Sequence, residues 1–325
     1  GNGHGIYWNP ATKEPFPKDD PKRLHSLRKD SVGFINEHAG KQPFFLMVSH
    51  YAAPLPFMAT EGAIERNRKR WIEQGGDVNQ RANAKSKENK EMLYAAMSEE
   101  RDMTVVGIID ALKAKGELDN TYVIFTSDNG GGYSERREVN GVNERFNGPL
   151  QGGKRSMWEG GLRVPLVMSG PGINKQNEKT DEFVFVTDLA PTLLSLVDLE
   201  AHDGNWKGDS IEEIIGKDFS AFLQGGESDI HSVSEAIGYE LGGNRALFKG
   251  DYKLVFNRSA VNDQNWHLFN IKTDPGEARD LAQIEPERYA EMLADYEEYE
   301  SNNNVLPMPE GYIQRREIFR GVQFN

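Results

Sequence analysis

The 325-residue sequence predicts an α/β fold, a mostly parallel sheet flanked by helices with a small C-terminal antiparallel-sheet subdomain. Three observations predict it. Tyr122, Val123, Ile124 and Phe125 form a continuous apolar run, as a strand covered on both faces of a parallel sheet does. Apolar residues recur at helical spacing before and after that run. From about Ser232, short apolar runs follow one another across tight turns, the pattern of hairpins. The expected division is a core over residues 1–231 and a subdomain over 232–325.

Residues 1–20 read as a Gly/Pro-rich loop, with Asp19 and Asp20 as surface charge. Leu24, Leu27, Val32, Phe34 and Ile35 predict a helix over 24–38, and residues 44–49 a strand after it. Residues 60–90 turn charged, and Arg66, Arg68, Lys69 and Arg70 read as a solvated helix face. Met92, Leu93, Ala96, Met97, Met103, Val106, Ile109 and Leu112 predict a core helix that stops at Gly116. Residues 133–147 read as a polar loop over the end of the 122–126 strand. Further on, FVFVTD reads as a strand and APTLLSLVDL as a helix, with Pro191 in a tolerated first-turn position. ALFKGDYKLVFN and NWHLFNI predict the C-terminal strands, followed by a DPGE turn and a charged helix over 286–299.

The balance of 38 basic and 51 acidic residues gives a net charge of −13, which argues against a nucleic-acid surface. No stretch predicts a membrane span. The absence of cysteine excludes disulfides and thiol chemistry.

The chemistry concentrates between Thr121 and Gly172. The TYVIFT strand ends in SDNGG, placing Asp128 and Asn129 beyond its carboxyl end, where ligands of such sheets collect. A carboxylate beside an amide oxygen suits a hard cation such as Ca²⁺ or Mg²⁺. Asp-Asn-Gly is also ordinary turn chemistry. The continuation NGPLQGGKRSMWEGGLRVPLVMSGPG weighs against a plain turn. It brackets Lys154 between Gly152-Gly153 and Gly160-Gly161, where a backbone can approach a ligand closely.

SDNGG followed by PLQGGKRSMWEGGLRVPLVMSGPG resembles the sulfatases, the sulfuric ester hydrolases of the alkaline-phosphatase-like superfamily. PFFLMVSHYAAPLPF, MLYAAMSEERDMTVVGIIDALKAKGELDNT, VTDLAPTLLSLVDL, KGDYKLVFN and HLFNIKTDPGEARDLA agree in order, so the resemblance covers nearly the whole chain. It implies an alkaline-phosphatase-like fold and a Ca²⁺ site, Mg²⁺ being the lesser fit, with Asp128 and Asn129 as ligands. It makes Lys154 a catalytic cation on a sulfate oxygen, and Glu159 and Arg163 organisers of the loop. The implied substrate is a small-molecule or carbohydrate sulfate ester, and the implied location is periplasmic or secreted.

Two departures qualify the resemblance. The family nucleophile is a formylglycine made from Cys or Ser in a C-x-P-S-R or S-x-P-S-R motif, and the chain holds neither. The Asp pair and Lys-x-His segment expected near the family's first strand are missing too. The expectation is therefore that the chain starts partway into a longer sulfatase, with the formylglycine upstream. The family's loop histidine is replaced by Pro54; His50 is the nearest imidazole, as a substrate-binding substitute or as a structural residue. Asn244, Arg245 and Trp266 are further residues able to reach a substrate, packing being the alternative for Trp266. Two functions stay open: a Ca²⁺-dependent sulfatase, and a catalytically inactive sulfatase-like fragment or pseudoenzyme that binds an anion. A phosphatase or phosphodiesterase fits GGKRSMWEGGLRVP less well.

Overall fold

The computed structural model describes residues 17–50, 57–75, 87–132, 137–139, 142–144, 147–175, 177–202, 204–227, 230–258, 264–309 and 312. The chain divides into two compact units, 1–123 and 124–325.

The first unit is helical: α1 (Leu24–His38), α2 (Glu61–Glu73) and α3 (Lys87–Lys115). The 24–38 helix and the stop before Gly116 are as the apolar spacing predicts. Ile35, Ala39, Ala111 and Leu112 form the core between α1 and α3, with Phe44 and Leu46 packed against it. Asp20 is not free surface charge: its carboxylate accepts the His25 N–H at 2.8 Å and also binds Ser26, capping the start of α1. The 60–90 region holds α2, capped by Thr60, whose hydroxyl accepts the Ala63 N–H at 3.4 Å. Buried Glu100 of α3 accepts both the Thr60 hydroxyl and its N–H.

The basic cluster on α2 has an internal partner. Arg66 Nε and Arg70 Nη1 meet the Glu99 carboxylate of α3 at 2.5 and 2.7 Å, and Asn67 Nδ2 joins at 2.7 Å. Burial works to raise the Glu99 carboxyl, but the bonds from Arg66 and Asn67 and the two guanidinium charges outweigh it, so it lies below the usual carboxylate range. A depressed carboxyl contributes stability above its unfolded value, and that stability is lost as pH falls through the folded one. Glu99→Ala should therefore destabilise the protein at pH 7 by about 1–3 kcal/mol. The loss, read by urea denaturation, should shrink in acid.

Residues 44–50 form no strand, contrary to the expectation of one over 44–49. Their side chains alternate half-buried and exposed as a strand's do, with Phe45 and Met47 at 78% and 75% exposure. Among the described residues no neighbouring strand closes a hydrogen-bond ladder with them, and alternation alone does not make a strand.

β1 (Val123–Thr126) starts at the last residue of the first unit, and the second unit continues from it through a short hairpin, β2 (Arg137–Val139) with β3 (Val142–Glu144), inside the stretch expected to be loop. Then follow α4 (Glu159–Leu162), β4 (Leu166–Ser169), α5 (Leu189–Leu196), the small hairpin β5 (Asn205–Trp206) and β6 (Asp209–Ser210), and α6 (Ser220–Leu223). β1 pairs with β4. FVF, expected as a strand, is not one, and Val186–Asp188 is a 3-10 turn. The buried Asp188 carboxylate forces this turn by accepting the Phe185 and Lys217 N–H groups at 2.6 and 2.8 Å.

The C-terminal meander has strand order β10-β9-β8-β7: β7 (Ala236–Leu241), β8 (Asn244–Lys249), β9 (Tyr252–Phe256) and β10 (Trp266–Asn270), all antiparallel neighbours, followed by α7 (Pro286–Asn302). Both faces of this sheet are covered, so its strands read ALF, LVF and HLF rather than alternating. Leu247, Leu254 and Leu268 pack against Met292 and Tyr296 of α7. Ala246, Phe248, Val255 and Phe269 on the other face enclose Met157, with Trp158 beside them. That second face carries the Lys154 segment.

Candidate metal and anion site

β1 ends beside Asp128, which is exposed, and Asn129, which is half-buried. Asn129 Nδ2 donates to the Gly130 carbonyl at 2.9 Å, so its Oδ1 stays unengaged among the described residues. Asp128 likewise has no hydrogen bond or ion pair among them. A carboxylate and an amide oxygen with open lone pairs, adjacent at a strand end, fit a hard cation. They are two ligands, where Ca²⁺ takes roughly six to eight oxygens. Among the described residues no group of three or more His, Asp and Glu side chains gathers to complete a shell.

The Lys154 turn interlaces with this loop. Lys154 N–H donates to the Gly131 carbonyl at 3.1 Å, Gly130 N–H to the Gly161 carbonyl at 2.9 Å, and Gly160 N–H to the Gln151 carbonyl at 2.7 Å. Gly152 has φ +71°, and a Cβ there would crowd the Ser156 and Trp158 side chains. Arg155 adopts φ +76° although it is not glycine, the kind of strained conformation that collects at functional turns. The Lys154 and Arg155 side chains are both exposed. The structure thus brings Asp128, Asn129 and Lys154 into one pair of stitched loops, with Arg155 as a neighbouring cation that motif reading passed over.

Asparagines from distant positions fasten the loops. Asn147 Oδ1 accepts the Gly131 N–H at 2.8 Å, while its Nδ2 donates to Gly131 and Gly152 carbonyls at 3.3 and 2.9 Å. Asn257 Oδ1 accepts the Met157 N–H at 2.8 Å. Asn244, one of the residues able to reach a substrate, is occupied at both ends: Nδ2 donates to the Arg155 carbonyl and Oδ1 accepts the Arg258 N–H, at 2.8 and 2.7 Å. Arg245 meets Glu300 at 3.1 Å and lies against Phe256 and Tyr296. Trp266 packs on Phe256 and Tyr296, the packing role.

Glu159 and Arg163 organise the loop as expected. Arg163 approaches Glu159 at 3.7 Å and Asp181 at 3.6 Å. Glu159 is buried, and its carboxylate accepts Lys253 Nζ at 2.8 Å.

His50 belongs to the first unit. Both its ring nitrogens are enclosed and lack a hydrogen-bond partner among the described residues. Burial, with the Arg101 charge second, holds its imidazole below the ordinary value, so near neutral pH it is uncharged. Pro54 lies outside the described residues.

The comparisons agree with this architecture. The Sulfatase family model matches residues 2–199, and the N-sulphoglucosamine sulphohydrolase, C-terminal, model matches residues 152–299. An uncharacterised sulfatase of Schizosaccharomyces pombe is 29% identical over 264 residues, covering 72% of this chain and 47% of that protein. The N-acetylgalactosamine-6-O-sulfatase of Bacteroides thetaiotaomicron is 27% identical over 215 residues, covering 59% and 38%. A crystal structure of Ps i-CgsB in complex with k-i-k-neocarrahexaose superposes with TM-score 0.66 at 25% identity, covering 95% of this chain and 61% of that one. The chain spans about half, or less, of the curated relatives it matches. The expected α/β architecture is shared with that solved structure and with yidJ of Bacteroides fragilis, TM-score 0.61 at 21% identity over 86% of this chain and 59% of that one, and with a family model matching residues 2–199 of 325, the chain belongs to the sulfatase family.

Proposed function

We propose that the protein is a sulfuric ester hydrolase that takes sulfate from a carbohydrate sulfate ester, with Asp128 and Asn129 holding Ca²⁺ and Lys154 holding the sulfate. The observation that carries this is the stitch from Lys154 N–H to the Gly131 carbonyl, which ties an exposed ammonium to the loop bearing two unengaged oxygen ligands. Cleaving a sulfate ester builds negative charge on the ester and sulfuryl oxygens. An ammonium carried on a loop whose backbone is fixed lies close enough to stabilise that charge. Bound Ca²⁺ would add a Lewis acid there, and a formylglycine the nucleophile.

Lys154 and Arg155 set the anion's position, while Asn147 keeps both loops in register. The carbohydrate assignment rests on relatives whose names specify sulfated sugars. A periplasmic or secreted location belongs to the same proposal, on the family resemblance. The absence of any C-x-P-S-R or S-x-P-S-R motif in these residues favours a second reading, anion binding without turnover.

Calorimetric titration of the 325-residue chain with Ca²⁺ and then sulfate tests the site. Sulfate should bind more tightly once Ca²⁺ is present, and Lys154→Ala should weaken it about tenfold or more, the scale of one lost charged hydrogen bond. Equal sulfate affinity in wild type and Lys154→Ala would discard the assignment. The chain by itself should not turn over an aryl sulfate with Ca²⁺ added. Hydrolysis abolished by Lys154→Ala would overturn that expectation and remove the anion-binding reading with it.

A further inference from the structure

Behind the Lys154 turn lies a buried charge cluster that the proposed chemistry does not use. Lys253, fully enclosed in β9, donates to Glu159 Oε1 at 2.8 Å and to Glu277 Oε1 at 2.9 Å. The other Glu277 oxygen accepts the Glu159 N–H at 2.7 Å. One lysine faces two carboxylates, and all three side chains are 4% exposed or less. Glu277 comes from the DPGE turn and Lys253 from the C-terminal sheet, so the cluster joins both to Glu159. Glu159 opens the EGGL turn, whose Gly160 and Gly161 hold the backbones of Gln151 and Gly130.

We propose that Lys253 and Glu277 are positioning residues for the Asp128–Asn129 and Lys154 loops, fastening both to the C-terminal sheet through Glu159 in a proton-dependent way. This rests on the site assigned above, and it extends the site to residues that touch neither metal nor substrate. The groups facing Glu277 are Lys253 and the Glu159 carboxylate and N–H. Arg163 touches only the far oxygen of Glu159, and Asp274 on the same turn is engaged by the Ala278 and Arg279 N–H groups. With both carboxylates ionised, Lys253 is the one buried cation bonded to two buried carboxylates, and the half-exposed Arg163 meets only Glu159, at 3.7 Å. Burial accordingly raises the Glu277 carboxyl to about 7, against the opposing pull of Lys253 and of the Glu159 N–H. Opening the loop returns Glu277 to water and to its ordinary, lower value. Opening therefore releases a proton between those two values and becomes easier as pH rises through that window.

Amide hydrogen exchange of the full chain, without Ca²⁺ or sulfate, reads this directly. Protection factors at Gly130 and Gly160, corrected for intrinsic exchange, should fall by roughly one to two orders of magnitude from pH 5 to pH 7.5 and level off above. Leu247 and Leu254 in the sheet interior serve as references and should hold their protection. Glu277→Gln, which keeps an acceptor for the Glu159 N–H but cannot ionise, should flatten the Gly130 and Gly160 profile. Flat wild-type protection, or an unchanged fall in Glu277→Gln, would overturn the proposal. If Glu277→Gln unfolds, seen as lost protection at Leu247, the wild-type profile decides alone. Because no ligand is present, failure here stands apart from failure of the sulfate site, which calorimetry reads.

Discussion

Lys253→Met should cost the folded protein about 3–5 kcal/mol at pH 8, one of the largest losses expected from any single substitution outside the apolar core. Methionine fills the space along the Phe248 ring, which the Lys253 Nζ now approaches at 5.3 Å, so packing is nearly conserved. What is lost is the buried ammonium that bonds both the Glu159 and the Glu277 carboxylates, with only the half-exposed Arg163 left, 3.7 Å from Glu159. Glu277, left without its cation, can stay buried only by taking up a proton. Its folded-state value, already raised by burial, therefore lies above the unfolded carboxylate value, and the sign follows. The variant keeps its stability below the unfolded value and loses it as pH rises through the folded one. Urea denaturation at pH 5 and pH 8 should show a small deficit at the first and a large one at the second. Adding Glu277→Gln, which leaves one carboxylate in place of two, should recover part of the loss at pH 8. A deficit equal at both pH values would mean that packing, and not charge, carries the effect.

This cluster also marks where sequence reading stops. Asp128, Asn129 and Lys154 stand out in the sequence because the chemistry proposed for them is written locally, as side-chain oxygens at a strand end and a lysine between glycine pairs. The helices over 24–38 and up to Gly116 were legible for the same reason, since their apolar spacing is periodic. Asn147, Asn244 and Asn257 were not, because an asparagine in a polar stretch reads the same whether it faces water or two backbones. Asn244 therefore read as a residue able to reach a substrate while it braces the Arg155 carbonyl. Lys253 left one signal, a charge between Tyr252 and Leu254 in an apolar strand, but its two glutamates are 94 and 24 residues away. The 44–50 segment fails in the opposite direction, with the alternating burial of a strand and no ladder among the described residues. FVF was misread because the buried Asp188 carboxylate, and not apolar patterning, decides its backbone.

Gly130→Ala should disable the site more thoroughly than removing any one of its side chains. A Cβ at this position would overlap the Gly160 carbonyl oxygen, a backbone atom. Gly160 cannot retreat easily, because its own N–H is tied to Gln151 and the next N–H, of Gly161, to the Trp158 carbonyl at 2.8 Å. The methyl group must therefore push apart the two loops that carry Asp128, Asn129 and Lys154. Gly130 N–H would lose its bond to the Gly161 carbonyl in the process. Overpacking of this kind costs about 1–3 kcal/mol, and a lost backbone hydrogen bond about 1 kcal/mol more. The functional loss should exceed the stability loss, since a displacement near 1 Å at a charged site can cost about a hundredfold in function. Circular dichroism should report a melting temperature several degrees lower with secondary structure retained. Calorimetry on the same sample should show Ca²⁺-assisted sulfate binding gone. Wild-type sulfate affinity in a folded Gly130→Ala protein would mean that the loops tolerate separation, and that the stitched backbone is not what aligns the ammonium with the oxygens proposed to hold Ca²⁺.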